Sequence, residues 1–254
     1  AKIKNTTNKS FTMSAWFCPD GEPSYGAEVD NNRCEYSIFM RPGYHTGISY
    51  IHGGLLKCVI WIRPLGSSER KPVVIQTSLR TNQWYHVGMV VNDREQTVIL
   101  YVNGKEIGKK EYEGQLIEYF NKPYYIGVGD PDLSVWKNFY KGQIAEVGLW
   151  SDALKDYEME LIFEKGIINN KGEYVTSKLP VGVWDFKGGY EDRTFDISGN
   201  NNHAKFYNVG FANKSLKSNT KRYLPYRRNG AYGYLSSEED YLNLEHLKRS
   251  EHPE

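Results

Sequence analysis

Residues 84–104 read Trp84-Tyr85-His86-Val87-Gly88-Met89-Val90-Val91-Asn92-Asp93-Arg94-Glu95-Gln96-Thr97-Val98-Ile99-Leu100-Tyr101-Val102-Asn103-Gly104. β-branched and aromatic residues fill 84–92 and 96–103, a composition that suits a pleated, half-buried surface. The polar Asn92-Asp93-Arg94-Glu95 between them supplies a turn. Asn103-Gly104 tolerates the positive φ of a tight turn and closes the second strand onto a third. The segment therefore predicts an antiparallel hairpin and sets an all-β reading for its surroundings.

Working outward, Phe11, Met13, Ala15 and Phe17 alternate with Thr12, Ser14 and Trp16, as in a strand with two distinct faces. Strand-like runs follow at 35–41, 47–51, 56–62 and 73–77, and on the far side of the hairpin at 124–128, 143–150 and 181–186. One internal helix is predicted over Asp156–Lys165, with Asp156 as its cap, Glu158 and Glu160 in the first turn, and Gly166 as the stop. Tyr157 and Leu161, four residues apart, are expected to face the sheets. A polar loop spans 187–202.

From residue 214 alternation is lost, and Lys214, Lys217, Lys221, Arg222, Arg227 and Arg228 follow with no acid between them. Ser236 with Glu239 then has the form of a capping box, which predicts a short helix through Leu242, Leu244 and Leu247. We therefore expect one domain over 1–213, and a basic connector with a helix over 214–254 leading to another domain of the same polypeptide.

Composition narrows the partners. Lys+Arg number 32 and Asp+Glu 31, so the chain as a whole offers no electrostatic attraction for nucleic acid or an anionic membrane. No apolar run approaches the roughly 20 residues of a membrane helix. Cys18, Cys34 and Cys58 are odd in number and irregular in spacing, which suits small apolar fillers rather than a disulfide framework or a zinc site.

Four stretches together carry a resemblance. They are Phe11-Thr12-Met13-Ser14-Ala15-Trp16-Phe17; Trp84-Tyr85-His86-Val87 with Val98-Ile99-Leu100-Tyr101-Val102-Asn103-Gly104; Tyr140–Trp150 leading into Ala153-Leu154; and Val183-Trp184-Asp185-Phe186 with Asp196-Ile197-Ser198-Gly199-Asn200-Asn201-Asn202-His203. In this order they resemble the laminin-G-like domains of the concanavalin A-like lectin/glucanase superfamily, over about residues 10–210. The resemblance implies a jelly-roll sandwich of two antiparallel sheets, one of them often concave and used for ligands. Members include glycan binders, adhesion modules and glycosidases, so the fold leaves function open.

A glycosidase needs two carboxyls projecting together into a cleft. Glu111 with Glu113 and Glu28 with Asp30 are the nearest approximations, and each reads as a solvated loop. No nucleophile elbow, phosphate loop or zinc-protease motif occurs. His86 alternates with core residues and is expected as a hydrogen-bonded core histidine.

Two constellations remain. Asp196 is a candidate calcium ligand or a turn cap, and Glu146, where the resemblance implies a carboxylate near a structural metal, is either a second ligand or an outward polar residue. Asp130 and Asp132 form another acidic loop suited to calcium or to a plain turn. For a glycan, aromatic rings stack on sugar faces while a few polar groups fix hydroxyls. Tyr44, Tyr50, Trp61, Tyr125 and Trp136 are the platform candidates, each competing with a simple packing role. The leading expectation is a non-catalytic carbohydrate-binding module, calcium-stabilised, from a larger carbohydrate-active protein such as a glycosyltransferase. The alternatives are a protein-interaction or adhesion domain, and a glycosidase of the same fold.

Overall fold

The computed structural model describes residues 9–23, 35–41, 46–117, 124–128, 139–187, 189–190, 193–207, 210–211, 233–235 and 241–244. The first strands are β1 (Phe11–Pro19), β2 (Glu35–Arg41), β3 (Thr46–Ile51), β4 (Leu55–Arg63) and β5 (Lys71–Ser78). The hairpin follows as β6 (Tyr85–Asn92) and β7 (Thr97–Val102), then β8 (Lys105–Glu111), β9 (Gln115–Leu116), β10 (Tyr124–Ile126) and β11 (Gly142–Trp150). After helix α1 (Asp156–Lys165) come β12 (Gly182–Trp184), β13 (Gly189–Tyr190), β14 (Arg193–Thr194), β15 (Ala204–Tyr207) and β16 (Gly210–Phe211). The last two are β17 (Gly233–Leu235) and β18 (Tyr241–Leu244).

They form two antiparallel sheets. The first has eight strands in the order β16-β17-β11-β1-β6-β7-β8, with β12 also on β11. The second has ten, in the order β13-β14-β15-β18-β10-β2-β3-β4-β5, with β9 on β4. The predicted hairpin pairs Val87 with Val102 and Asn92 with Thr97.

Alternation decides what fills the core. Phe11, Met13, Ala15 and Phe17 of β1 meet Ile38, Phe39, Ile48, Tyr50, Leu56, Cys58 and Ile60 of the second sheet in the main apolar cluster. The opposite face of the first sheet is also dry, because α1 lies on it. Met159 and Ile162 pack with Val90, Tyr101 and Trp150, while Phe163 stacks on Trp16 at 5.6 Å between ring centroids. Gly88 makes this seat possible: a Cβ there would collide with the Met159 methyl.

Three expectations are corrected here. The face of α1 turned to the sheet carries Glu158, Met159, Ile162 and Phe163, while Tyr157 is 51% exposed. Asp156 does not cap the helix. Lys155 is the N-cap, its N–H donates to Glu158 Oε2 at 2.9 Å, and Asp156 accepts the Tyr101 hydroxyl at 2.5 Å. Leu242 and Leu244, expected in a helix, belong to β18, which pairs with β10 and β15. Backbone partners on both sides outweigh a local capping signal there.

Candidate functional site

The outward face of the second sheet combines aromatic and charged side chains. In β4, Leu56, Cys58, Ile60 and Ile62 point into the core. Lys57, Val59, Trp61 and Arg63 therefore point out. In β3 the inward Ile48 and Tyr50 leave Gly47, Ser49 and Ile51 outward. β2 carries an irregularity between Ser37 and Phe39, which keeps Glu35 and Ser37 outward and returns Met40 to the same face.

Register then assembles the site. Ser37 lies opposite Ser49, and Ser49 opposite Lys57. Ser49 Oγ donates to Glu35 Oε1 at 2.7 Å, and the Lys57 ammonium is paired with Glu35 Oε2. The side chains of Lys57 and Glu35 keep 19% and 10% of their surface exposed. Ser37 Oγ is buried beside them with no hydrogen-bond partner among the described residues. Trp61, half-buried, lies four residues beyond Lys57 on one strand face, about 13 Å away. At the other end, Tyr125 lies opposite Met40 and packs with Val128 and Phe139. A Cβ on Gly47 would collide with the Phe39 carbonyl, and its neighbours across the strands, Met40 and Val59, are themselves buried, so accessible surface on this face is concentrated toward Lys57 and Trp61.

Of the predicted platform, Trp61 and Tyr125 share this face. Trp61 retains accessible surface, whereas Tyr125 is 2% exposed. Tyr50 lies on the inner face, wholly buried against Phe17, its hydroxyl donating to the Leu79 carbonyl. Tyr44, Trp136, Asp130 and Asp132 lie outside the described residues, as do Glu28 and Asp30. Glu35, Ser49 and Lys57 went unnoticed in the sequence. Strand alternation put Lys57 on the face of Trp61, but only cross-strand register brings Glu35 to it.

Asp196 organises a turn. Its Oδ1 accepts from the N–H groups of Val183 and Ser198, and its Oδ2 from Ser198 Oγ and Asn202 N–H, all within 2.8–2.9 Å. Its own N–H donates to His203 Nδ1 at 3.1 Å. These four donors occupy the lone-pair positions of the carboxylate, so a cation at Asp196 would compete with every one of them. Glu146 sits at a β-bulge between β1 and β11 with φ +43°, and its Oε1 accepts from Ile167 N–H at 3.1 Å. The bulge re-aims its side chain toward the end of α1. Among the described residues no three His, Cys, Asp or Glu side chains form a metal-holding group. Glu111 and Glu113 are exposed on either side of the buried Tyr112.

Residues 1–159 match a laminin-G family model described as Concanavalin A-like lectin/glucanases superfamily, more than half of the chain, and the chain belongs to that superfamily. A candidate carbohydrate-binding protein from Bacteroides ovatus has a similar structure, with a TM-score of 0.54 and 16% identity over 78% of this chain and 52% of its own. This chain thus spans about half of that protein's length. Domain 4 of a GH43 extracellular arabinanase from Geobacillus stearothermophilus, in complex with arabinotriose, gives a TM-score of 0.41 and 19% identity over 61% of this chain and 67% of its own. The sialyllactose-bound CBM40 of a Ruminococcus gnavus sialidase gives 0.42 and 10% identity over 61% of this chain and 83% of its own. At such identities the likeness is one of fold alone. Among curated proteins, none matches the chain in sequence.

Proposed function

We infer that this chain is a carbohydrate-binding module without a catalytic centre, and that its ligand lies along the outward face of the second sheet. The observation that carries the reading is the Glu35–Lys57 pair, held by Ser49 on the same face as Trp61. An aromatic ring for stacking beside a few fixed polar groups is the usual division of labour in a small-ligand site. A partly buried ion pair contributes little to stability, because desolvation offsets most of its attraction. Its presence on this face is therefore more readily understood as recognition. In this reading the chain serves a larger carbohydrate-active protein, such as a glycosyltransferase.

The test is a glycan array followed by titration of the strongest hits, repeated with calcium and with EDTA. Binding is expected, with a loss of about two- to tenfold for Trp61→Ala, since an aromatic ring contact is worth about 0.5–1.5 kcal/mol. Silence across the array, with folded protein, counts against the reading and favours an adhesion domain. Calcium is the finer part of the proposal: weaker binding in EDTA supports an ion beside the ligand, and equal binding removes calcium alone.

A further inference from the structure

We propose that the site takes a neutral, hydroxyl-rich sugar and discriminates against acidic sugars through the Glu35–Lys57 pair, an inference that rests on the carbohydrate-binding reading above. A lysine in a sugar site ordinarily attracts carboxylated or sulfated rings. Here the Lys57 ammonium already faces the Glu35 carboxylate, and Ser49 fixes the other oxygen of that carboxylate. The pair presents no net charge.

An approaching uronate or sialate would meet the Glu35 carboxylate beside the cation, whose repulsion offsets the attraction of Lys57, so the acidic group gains nothing to repay its own desolvation. A vicinal diol meets the opposite situation. One hydroxyl donates to a carboxylate oxygen of Glu35 while its neighbour accepts from the Lys57 ammonium, so one rigid pair satisfies both. The buried hydroxyl of Ser37, which has no described partner, lies opposite Ser49. It supplies a substitute partner for the Ser49 hydroxyl when a sugar hydroxyl takes the place of Ser49 on Glu35. Cross-strand serines are close enough for that exchange. Arg63, the remaining outward cation of β4, is exposed at the strand end, where salt screens its field.

The experiment is calorimetric titration of the whole 254-residue chain with two sets of trisaccharides. Cellotriose, xylotriose, mannotriose and arabinotriose are the neutral probes; trigalacturonate and sialyllactose are the acidic ones, each at low and high salt. At least one neutral probe is expected to bind with an affinity that salt leaves unchanged, and the acidic probes are expected not to bind. Glu35→Gln should weaken the neutral sugar about tenfold, the loss of one charge-assisted hydrogen bond. It should also admit an acidic probe, with an affinity that falls as salt rises, because Lys57 is then uncompensated.

Lys57→Gln should weaken neutral binding similarly yet admit no acidic sugar. That contrast separates charge selection from simple damage to the site, and a melting curve on each variant confirms folding. Acidic sugars binding the unaltered protein more tightly than every neutral probe would overturn the proposal while leaving the carbohydrate-binding reading in place. So would a Glu35→Gln variant with unchanged selectivity. Silence from both sets overturns the carbohydrate-binding reading itself.

Discussion

At the scale of single residues, His86 shows how a strand can carry a titratable group without using it for chemistry. Its imidazole is fully buried between Trp16 and Phe163, with Nε2 2.8 Å from Ser14 Oγ. Burial pushes its pKa from 6.5 down to about 3. The unfolded chain takes up a proton near the ordinary value, while the folded chain resists until far lower pH. Stability is therefore full above the unfolded pKa of 6.5 and drains away as pH falls toward about 3. The loss should be on the order of a few kcal/mol. Urea denaturation across that range should show this loss, and His86→Gln, which keeps a partner for Ser14, should flatten it. Equal slopes in the two proteins would mean that some other group governs the acid limb. The sequence marked His86 as a core residue by its place in an alternating strand. Its partner Ser14, 72 positions earlier, emerges only from the β1–β6 pairing.

At the scale of elements, helix α1 depends on the side chain that starts it. Glu158 is buried, which by itself opposes ionisation. Hydrogen bonds from the N–H of Lys155 and from the N–H and hydroxyl of Ser177 outweigh that and hold its carboxyl below the usual 4.5. A depressed acid stabilises the fold above its unfolded pKa and loses that contribution as pH falls through the lower folded value. Glu158→Gln should thus cost about 1.5–3 kcal/mol at neutral pH, where charge-assisted bonds are lost. The gap to the parent should close in acid. Thermal unfolding of both proteins at neutral and acid pH reads this directly; a gap independent of pH would assign the cost to packing. The sequence located this helix to the residue at both ends. It misassigned the cap and the buried face, because Tyr157 and Leu161 look more apolar than Glu158, and only the 177 loop provides donors for that buried carboxylate.

At the scale of the whole molecule, the last segments of the chain belong to both sheets. β17 pairs with β11 in the first, and β18 lies between β10 and β15 in the second. Deleting 214–254 should leave β10 and β15 without that shared neighbour and expose their backbone groups. A lower melting temperature and a smaller urea transition midpoint are expected for the shortened chain. Unchanged melting would return this stretch to the role of an independent connector. A four-residue strand between two partners draws its conformation from them, which is why a local helix signal around Leu242 and Leu244 misled.

Alternation and turn chemistry, being local, determined the strands from β1 to β7, the hairpin between 84 and 104, and the inward face of β1 with Phe11, Met13, Ala15 and Phe17. The same local rules placed Trp61 and Lys57 on one strand face. The family motif ending in Asn202-His203 was legible too, although its physical basis, a turn knotted around the Asp196 carboxylate, needed the fold. Tertiary structure alone decided the rest. Register between β2, β3 and β4 set Glu35 against Lys57, and sheet packing sent Tyr50 inward. Pairing partners turned the final segment into strand. In each case the deciding contact joins residues far apart in the chain, and no local pattern encodes which strand becomes whose neighbour.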